Sequence, residues 1–238
     1  MTRRGRLLVG WTCALVLAAG FARLGLWQSH RAVEKERLLA DVATVLDARR
    51  ARPLAAAADT QRVHAYDWAA GRGRFVATAP LLLDNQQRDG RVGVRAYRVF
   101  QPDAGTPLLV DMGWLPIGAD RALPPVAIPP GELDVRGLLA PPPSAGLRMG
   151  APMASQGDAW LVVRLEPTAI AREFGLPALA PRVLRLDPAL PFGYPRDLEL
   201  LVNTLPPDRH RGYAVQWFGL AATLLVIALV LTFHRSRR

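Results

Sequence analysis

The stretch "RHRGYAVQWFGLAATLLVIALVLTF", residues 209–233, opens on Arg209, His210 and Arg211 and then runs without a charge from Tyr213 to Phe233. At a rise of about 1.5 Å per residue, a helix over that run covers the roughly 30 Å of bilayer hydrocarbon. A second apolar run, "LLVGWTCALVLAAGFARLGL", lies at residues 7–26 with Arg23 as its one charge. Its rival reading is a cleaved signal peptide, because "TRRGR" is basic and "AAGFA" is rich in small residues. A signal-peptide apolar region is normally only about 7–15 residues, so the run is read as a retained anchor.

The chain of 238 residues carries a formal charge of +10. Seven of the basic residues are Arg3, Arg4, Arg6, Arg23, Arg235, Arg237 and Arg238, which border or interrupt the apolar runs. Between Gln28 and Gly212, 23 basic residues stand against 20 acidic ones, leaving +3. Basicity concentrated beside spans reads as membrane topology and argues against a nucleic-acid-binding face. Arginines near a span are retained in the cytoplasm while long loops translocate. The expected layout is a cytoplasmic tail (1–6), a first span (7–27), a periplasmic domain (28–212), a second span (213–233) and a cytoplasmic tail (234–238) in the bacterial inner membrane. Cys13, the one cysteine, falls in the first span. The exported region therefore has no disulfide, no Cys-x-x-Cys redox pair and no thiolate metal site, which excludes thiol oxidoreductases and cysteine-based copper chaperones.

Residues 29–50 have helical periodicity through Val33, Leu38, Leu39, Val42, Val45 and Leu46, and Pro53 limits the helix. From His64 onward the pattern turns strand-like. Strands are expected at Arg74–Asp84, Val92–Gln101, Pro107–Pro116, Leu133–Ala140 and Ala159–Leu165, and in "RVLRLD" and "LELLVNT", with a short helix at Pro167–Gly175. Asp89-Gly90 and "PDAG" supply turns, "GRGR" at Gly71–Arg74 is read as another, and "PPVAIPPG" and "APPPSAG" are loops. Sequential strands with such short links pair antiparallel. The expected fold class is α+β: two transmembrane helices flanking an antiparallel β-rich exported domain.

The chain carries no G-x-S-x-G elbow, H-E-x-x-H helix or phosphate-binding glycine loop, and its carboxylates form no close pair in sequence suited to acid–base catalysis. An enzyme is not expected. Of the histidines, His234 falls in the tail and His64 reads as surface, whereas His30 and His210 sit at the exported ends of the spans. His210 has two readings. With Tyr213 and Trp217 it can anchor the helix at headgroup level. As a neutral imidazole it can also be an axial ligand of haem iron, with Arg209 and Arg211 placed for the propionates.

Three motifs bear on that choice. "LGLWQSHRAVEK" (24–35) resembles the Gly-x-Trp-Gln-x-x-Arg-x-x-x-Lys of the SURF1 family, here with Trp27, Gln28, Arg31 and Lys35. "LLVDMGWLP" is similar to that family's strand ending in Gly-Trp-x-Pro, here Gly113, Trp114 and Pro116. "HRGYAVQWFGLA" resembles its His-x-x-Tyr-Ala-x-x-Trp-Phe, here His210, Tyr213, Ala214, Trp217 and Phe218. The family usually has an arginine before the Gly-Trp pair, where this chain has Met112, so no role of that arginine carries over.

The resemblance implies an assembly factor for haem-copper cytochrome c oxidase that aids delivery of haem a to the catalytic subunit I. Haem A synthase is a further partner, and His210 is the candidate haem a ligand. For Trp27, Gln28 and Arg31 the competing reading is a hinge where span meets domain, and Trp114 reads as core packing before haem platform. The alternative function is a two-span polysaccharide chain-length regulator, whose exported loop would be long helices.

Overall fold

A computed structural model describes residues 2–143, 150–200 and 205–234. The chain divides into two compact units, Met1–Asp41 with Thr204–Arg238, and Val42–Asn203.

The first unit is a helical pair. Helix α1 (Arg3–Ala48) runs unbroken for 46 residues, roughly 70 Å at the ordinary rise. The expected helix after the first span is thus the continuation of the span, and the hinge expected at Trp27–Arg31 is replaced by regular helix. Helix α3 (Pro207–His234) is the second apolar rod, and both helices are long and apolar enough to cross a membrane. Leu15, Val16, Leu26, Val215, Val226 and Val230 point outward and are exposed, as lipid-facing side chains are.

On α1 exposure is lost at Trp11, Ala14, Ala18, Phe21, Gly25, Gln28, Ala32 and Lys35. On α3 it is lost at Pro207, His210, Ala214, Trp217, Ala221, Leu224 and Ala228. Both series step by three and four residues, the 3.5-residue repeat that keeps two helices in contact along a left-handed seam. Pairs Trp11–Thr232, Phe21–Trp217 and Gln28–His210 run in opposite chain directions, so the helices are antiparallel. Alanine and glycine recur along the seam because small residues let helix backbones approach where lipid supplies no hydrophobic drive. A Cβ on Gly25 would stand 2.7 Å from the Phe218 ring.

The second unit is built on a nine-stranded mixed sheet among the described residues. Its strands are β1 (Arg52–Pro53), β2 (Asp67–Phe75), β3 (Leu81–Arg88), β4 (Arg91–Pro102), β5 (Leu108–Pro116), β6 (Glu132–Ala140), β7 (Met153–Gln156), β8 (Ala159–Val162) and β9 (Val183–Leu186). The order β2-β6-β9-β5-β4 returns to β2 through Gly73–Phe75 against Phe100–Pro102, which closes a five-stranded ring. Strands β3, β8 and β7 extend the sheet beyond β4. The α+β class stands, and the expected β3–β4–β5 meander is antiparallel. Three pairings, β1–β2, β3–β8 and β5–β9, are parallel; they join segments distant in sequence, which leaves no local signature.

Alternation sorts the side chains. Val94, Ala96 and Phe100 of β4 join Leu108, Val110, Met112, Leu139 and Leu184 in one core. Tyr97 and Val99 face the other way, against Leu109, Val183 and the Ile170 and Ala171 of α2 (Pro167–Glu173).

The expected Arg74–Asp84 strand divides, because β2 ends at Phe75 and β3 starts at Leu81. "GRGR" is the middle of β2 and makes no turn. Its glycines are spacing residues: a Cβ on Gly73 would lie 2.2 Å from the Gln101 carbonyl oxygen, where β4 crosses to close the ring. The Ala159–Leu165 strand stops at Val162. Leu198–Leu200 of the expected "LELLVNT" strand are irregular, and its remaining residues lie outside the described ones. The turn at Asp89-Gly90 forms with both φ angles positive, 50° and 73°, the hairpin geometry such a pair favours.

Candidate functional site

The buried arginines of the second unit, Arg98, Arg182 and Arg185, are held in structural contacts. Asp67 accepts from Arg182 at 2.6 Å, Arg62 at 2.7 Å and Arg52 at 3.2 Å. Asp111 sits between Arg95 at 3.3 Å and Arg185 at 3.9 Å. Asp187 pairs with Arg136 at 2.8 Å. Arg196 donates to the carbonyls of Asp187, Leu190, Phe192 and Tyr194. Each of these carboxylates is held by more than one arginine, three at Asp67 and two each at Asp111 and Asp187. Among the described residues no group of three or more His, Cys, Asp or Glu side chains is placed to hold a metal ion.

The Gly-Trp-x-Pro motif belongs to this framework. At β5 the register against β4 shifts between Ala96 and Tyr97, so the strand carries a bulge at Met112–Gly113. Gly113 adopts φ 115°, and its amide donates to Asp111 Oδ1 at 3.0 Å. A Cβ there would stand 2.5 Å from the Tyr194 carbonyl oxygen. Met112, in place of the usual arginine, is 1% exposed and fills the core. Trp114 is also buried, and its indole Nε1 donates to the Gln86 carbonyl at 3.3 Å. Pro116 ends the strand at the surface.

The helical unit holds the other two motifs, and the seam explains their spacing. Gly25, Gln28 and Lys35 of the first motif fall on the α1 face turned toward α3, while His210, Ala214 and Trp217 of the second fall on the answering face. His210 Nδ1 lies 2.6 Å from Gln28 Oε1. The amide oxygen can only accept, so a neutral ring making this bond donates from Nδ1 and leaves Nε2 bare. His210 is 7% exposed, and its Nε2 is buried with no hydrogen-bond partner among the described residues. Buried polar atoms are ordinarily satisfied, so this orphan calls for an explanation.

Around this pair, Lys35 Nζ donates to the Leu205 carbonyl and Arg211 pairs with Glu36 at 2.7 Å. Arg31 pairs with Glu34 at 2.8 Å. Arg209 is exposed, as is Trp27 at 53%. Trp217 stacks on Phe21 with centroids 5.7 Å apart. Tyr213 is 41% exposed and Phe218 40%. The structure thus joins His210 to Gln28 and occupies Arg211 with Glu36, and Arg209 has no side-chain partner among the described residues. Neither the Gln28–His210 bond nor the Arg211–Glu36 pair is read from sequence above; the three-four spacing of small residues on both helices is the signal that points to them.

A SURF1 family model matches residues 15–222, most of the chain and both helical motifs. The chain belongs to the SURF1 family. With that membership comes a role in the assembly of cytochrome c oxidase, and the SURF1 family is one of assembly factors and not a known enzyme family. The two apolar helices fit such a factor seated in the membrane. A search of curated proteins returns no match. The chain-length-regulator reading falls here. Among the described residues, α2 with its seven residues is the one α-helix of the second unit beyond the end of α1, where that reading needs long helices.

Proposed function

We propose that this SURF1-family protein holds haem a during oxidase assembly, with His210 as the axial ligand, and passes it to the catalytic subunit I. The observation that carries the reading is an imidazole Nε2 that is buried with no hydrogen-bond partner among the described residues, on a ring whose Nδ1 lies against the Gln28 oxygen. Neutral imidazole with one nitrogen donating and the other free is the form that ligates iron. The fit to haem a rests on that donor. When bound, haem a supplies the redox-active iron that the oxidase needs; the protein's task is to bind, orient and release it. Arg209, exposed, is the readier cation for a propionate, and Arg211 would serve by exchanging Glu36 for it. The anchoring reading of His210 is weaker, because a ring that is 7% exposed and bonded to a neighbouring helix does not face headgroups. Tyr213 and Trp27, both largely exposed, suit that role better.

In this reading the tails are cytoplasmic and residues 28–212 face the periplasm, which agrees with the arginines flanking the spans. The protein is not itself an enzyme; haem A synthase is the natural donor and subunit I the acceptor. The test is expression with haem a available, followed by purification in detergent. A Soret band should accompany the wild-type protein and vanish in His210→Ala with insertion and folding intact. An unchanged spectrum in the variant rejects His210.

A further inference from the structure

We infer that Gln28 is a positioning residue that sets the tautomer of His210 and aims its Nε2 at the ligand. The inference rests on the reading of His210 as a ligand but is tested apart from it. Free imidazole prefers to carry its proton on Nε2, the nitrogen that must be bare to bind a metal. The oxygen of Gln28, 2.6 Å from Nδ1, reverses that preference by accepting the Nδ1 proton. Histidine ligands depend on such an outer partner to fix tautomer and ring orientation. Here the partner comes from the other span, 182 residues away in sequence. The α1 seam places it, since Gly25 and Ala32 lie on the same face on either side of Gln28.

A merely structural glutamine would hold the helices together and leave the tautomer alone. The deciding measurement is the nitrogen NMR spectrum of isotope-labelled histidine in the full-length, haem-free protein in lipid, assigned by loss of the His210 signal in His210→Phe. The wild type should show Nδ1 protonated and Nε2 bare. In Gln28→Leu the proton should move to Nε2, and in Gln28→Glu, which keeps an oxygen acceptor, Nδ1 should stay protonated. Haem a affinity should fall about 10- to 100-fold in Gln28→Leu and recover in Gln28→Glu.

A wild-type ring protonated on Nε2 overturns the inference, even if Gln28→Leu fails to insert. So does a Gln28→Leu ring that keeps its Nδ1 proton. Loss of the haem spectrum in His210→Ala with no tautomer change in Gln28→Leu defeats the role of Gln28 and leaves the ligand reading standing. A tautomer change with no effect of His210→Ala on haem does the reverse.

Discussion

Replacing Asp67 by asparagine tests whether the arginine frameworks of the sheet domain hold it together. Burial works to raise the Asp67 pKa, but hydrogen bonds from Arg62, Arg182 and Arg52 bring it down to about 2. A carboxylate whose folded pKa lies below its ordinary value of 3.8 adds stability that is complete above that value. The contribution is lost as the pH falls through the folded value. A shift of nearly two units corresponds to about 2 kcal/mol. The side chains of Arg52 and Arg62 are 44% and 40% exposed, so solvent screens their share. Arg182 makes its bond from a fully buried side chain, where solvent does not screen it.

The asparagine variant does more than remove this term. It leaves the Arg182 charge buried with the Ala65 and Ala56 carbonyls as its remaining partners. Breaking a buried pair in that way costs about 3–5 kcal/mol, and the carbonyls place the expected loss near the lower end. Urea unfolding of the full-length protein in mild detergent, followed by tryptophan fluorescence, reads it through Trp68 beside the mutated site. The wild-type advantage over Asp67→Asn should be full near pH 5 and shrink by about 2 kcal/mol toward pH 2. Removing both charges in Asp67→Leu with Arg182→Met should recover part of the loss. Equal stability of wild type and Asp67→Asn at pH 5, or an advantage that does not change down to pH 2, would refute the assignment.

Gly113→Ala puts a Cβ at φ 115° against the Tyr194 carbonyl and should lower the unfolding free energy of the sheet domain by about 2 kcal/mol or more, measured by chemical denaturation. Gly25→Val drives side-chain atoms into the Phe218 ring and should part the helices, seen as loss of a Phe21Cys–Trp217Cys cross-link while membrane insertion is retained. Gly73→Val meets the Gln101 carbonyl at the ring closure and should leave little folded protein, assayed by resistance to protease.

Much of this architecture was legible because it is written locally. An uncharged run such as Tyr213–Phe233 declares a span by composition, and Asp89-Gly90 declares a hairpin by its backbone preference. Strand β2 was hidden because Gly71 and Gly73 imitate a turn, although their task is to admit neighbouring atoms at close range. The β7–β8 hairpin turns on a Gly157-Asp158 link, but Met153–Gln156 before it is short and mostly exposed and carries no buried alternation. The parallel β5–β9 pairing sets Leu109 beside Val183, and no local pattern announces such a contact. At the site, His210 and Gln28 are each legible in a separate motif. Their union is not, because it depends on the matched faces of Ala14, Ala18, Gly25 and Ala32 on one helix and Ala214 and Ala221 on the other.

The helical seam also fixes when the site can exist. During synthesis Gln28 emerges early and His210 only after the whole β-sheet domain has been made. Until the last rod is made, the newborn chain holds only one half of the Gln28–His210 pair. Any task that needs both side chains is thereby confined to fully finished molecules, and a truncated or stalled product cannot perform it.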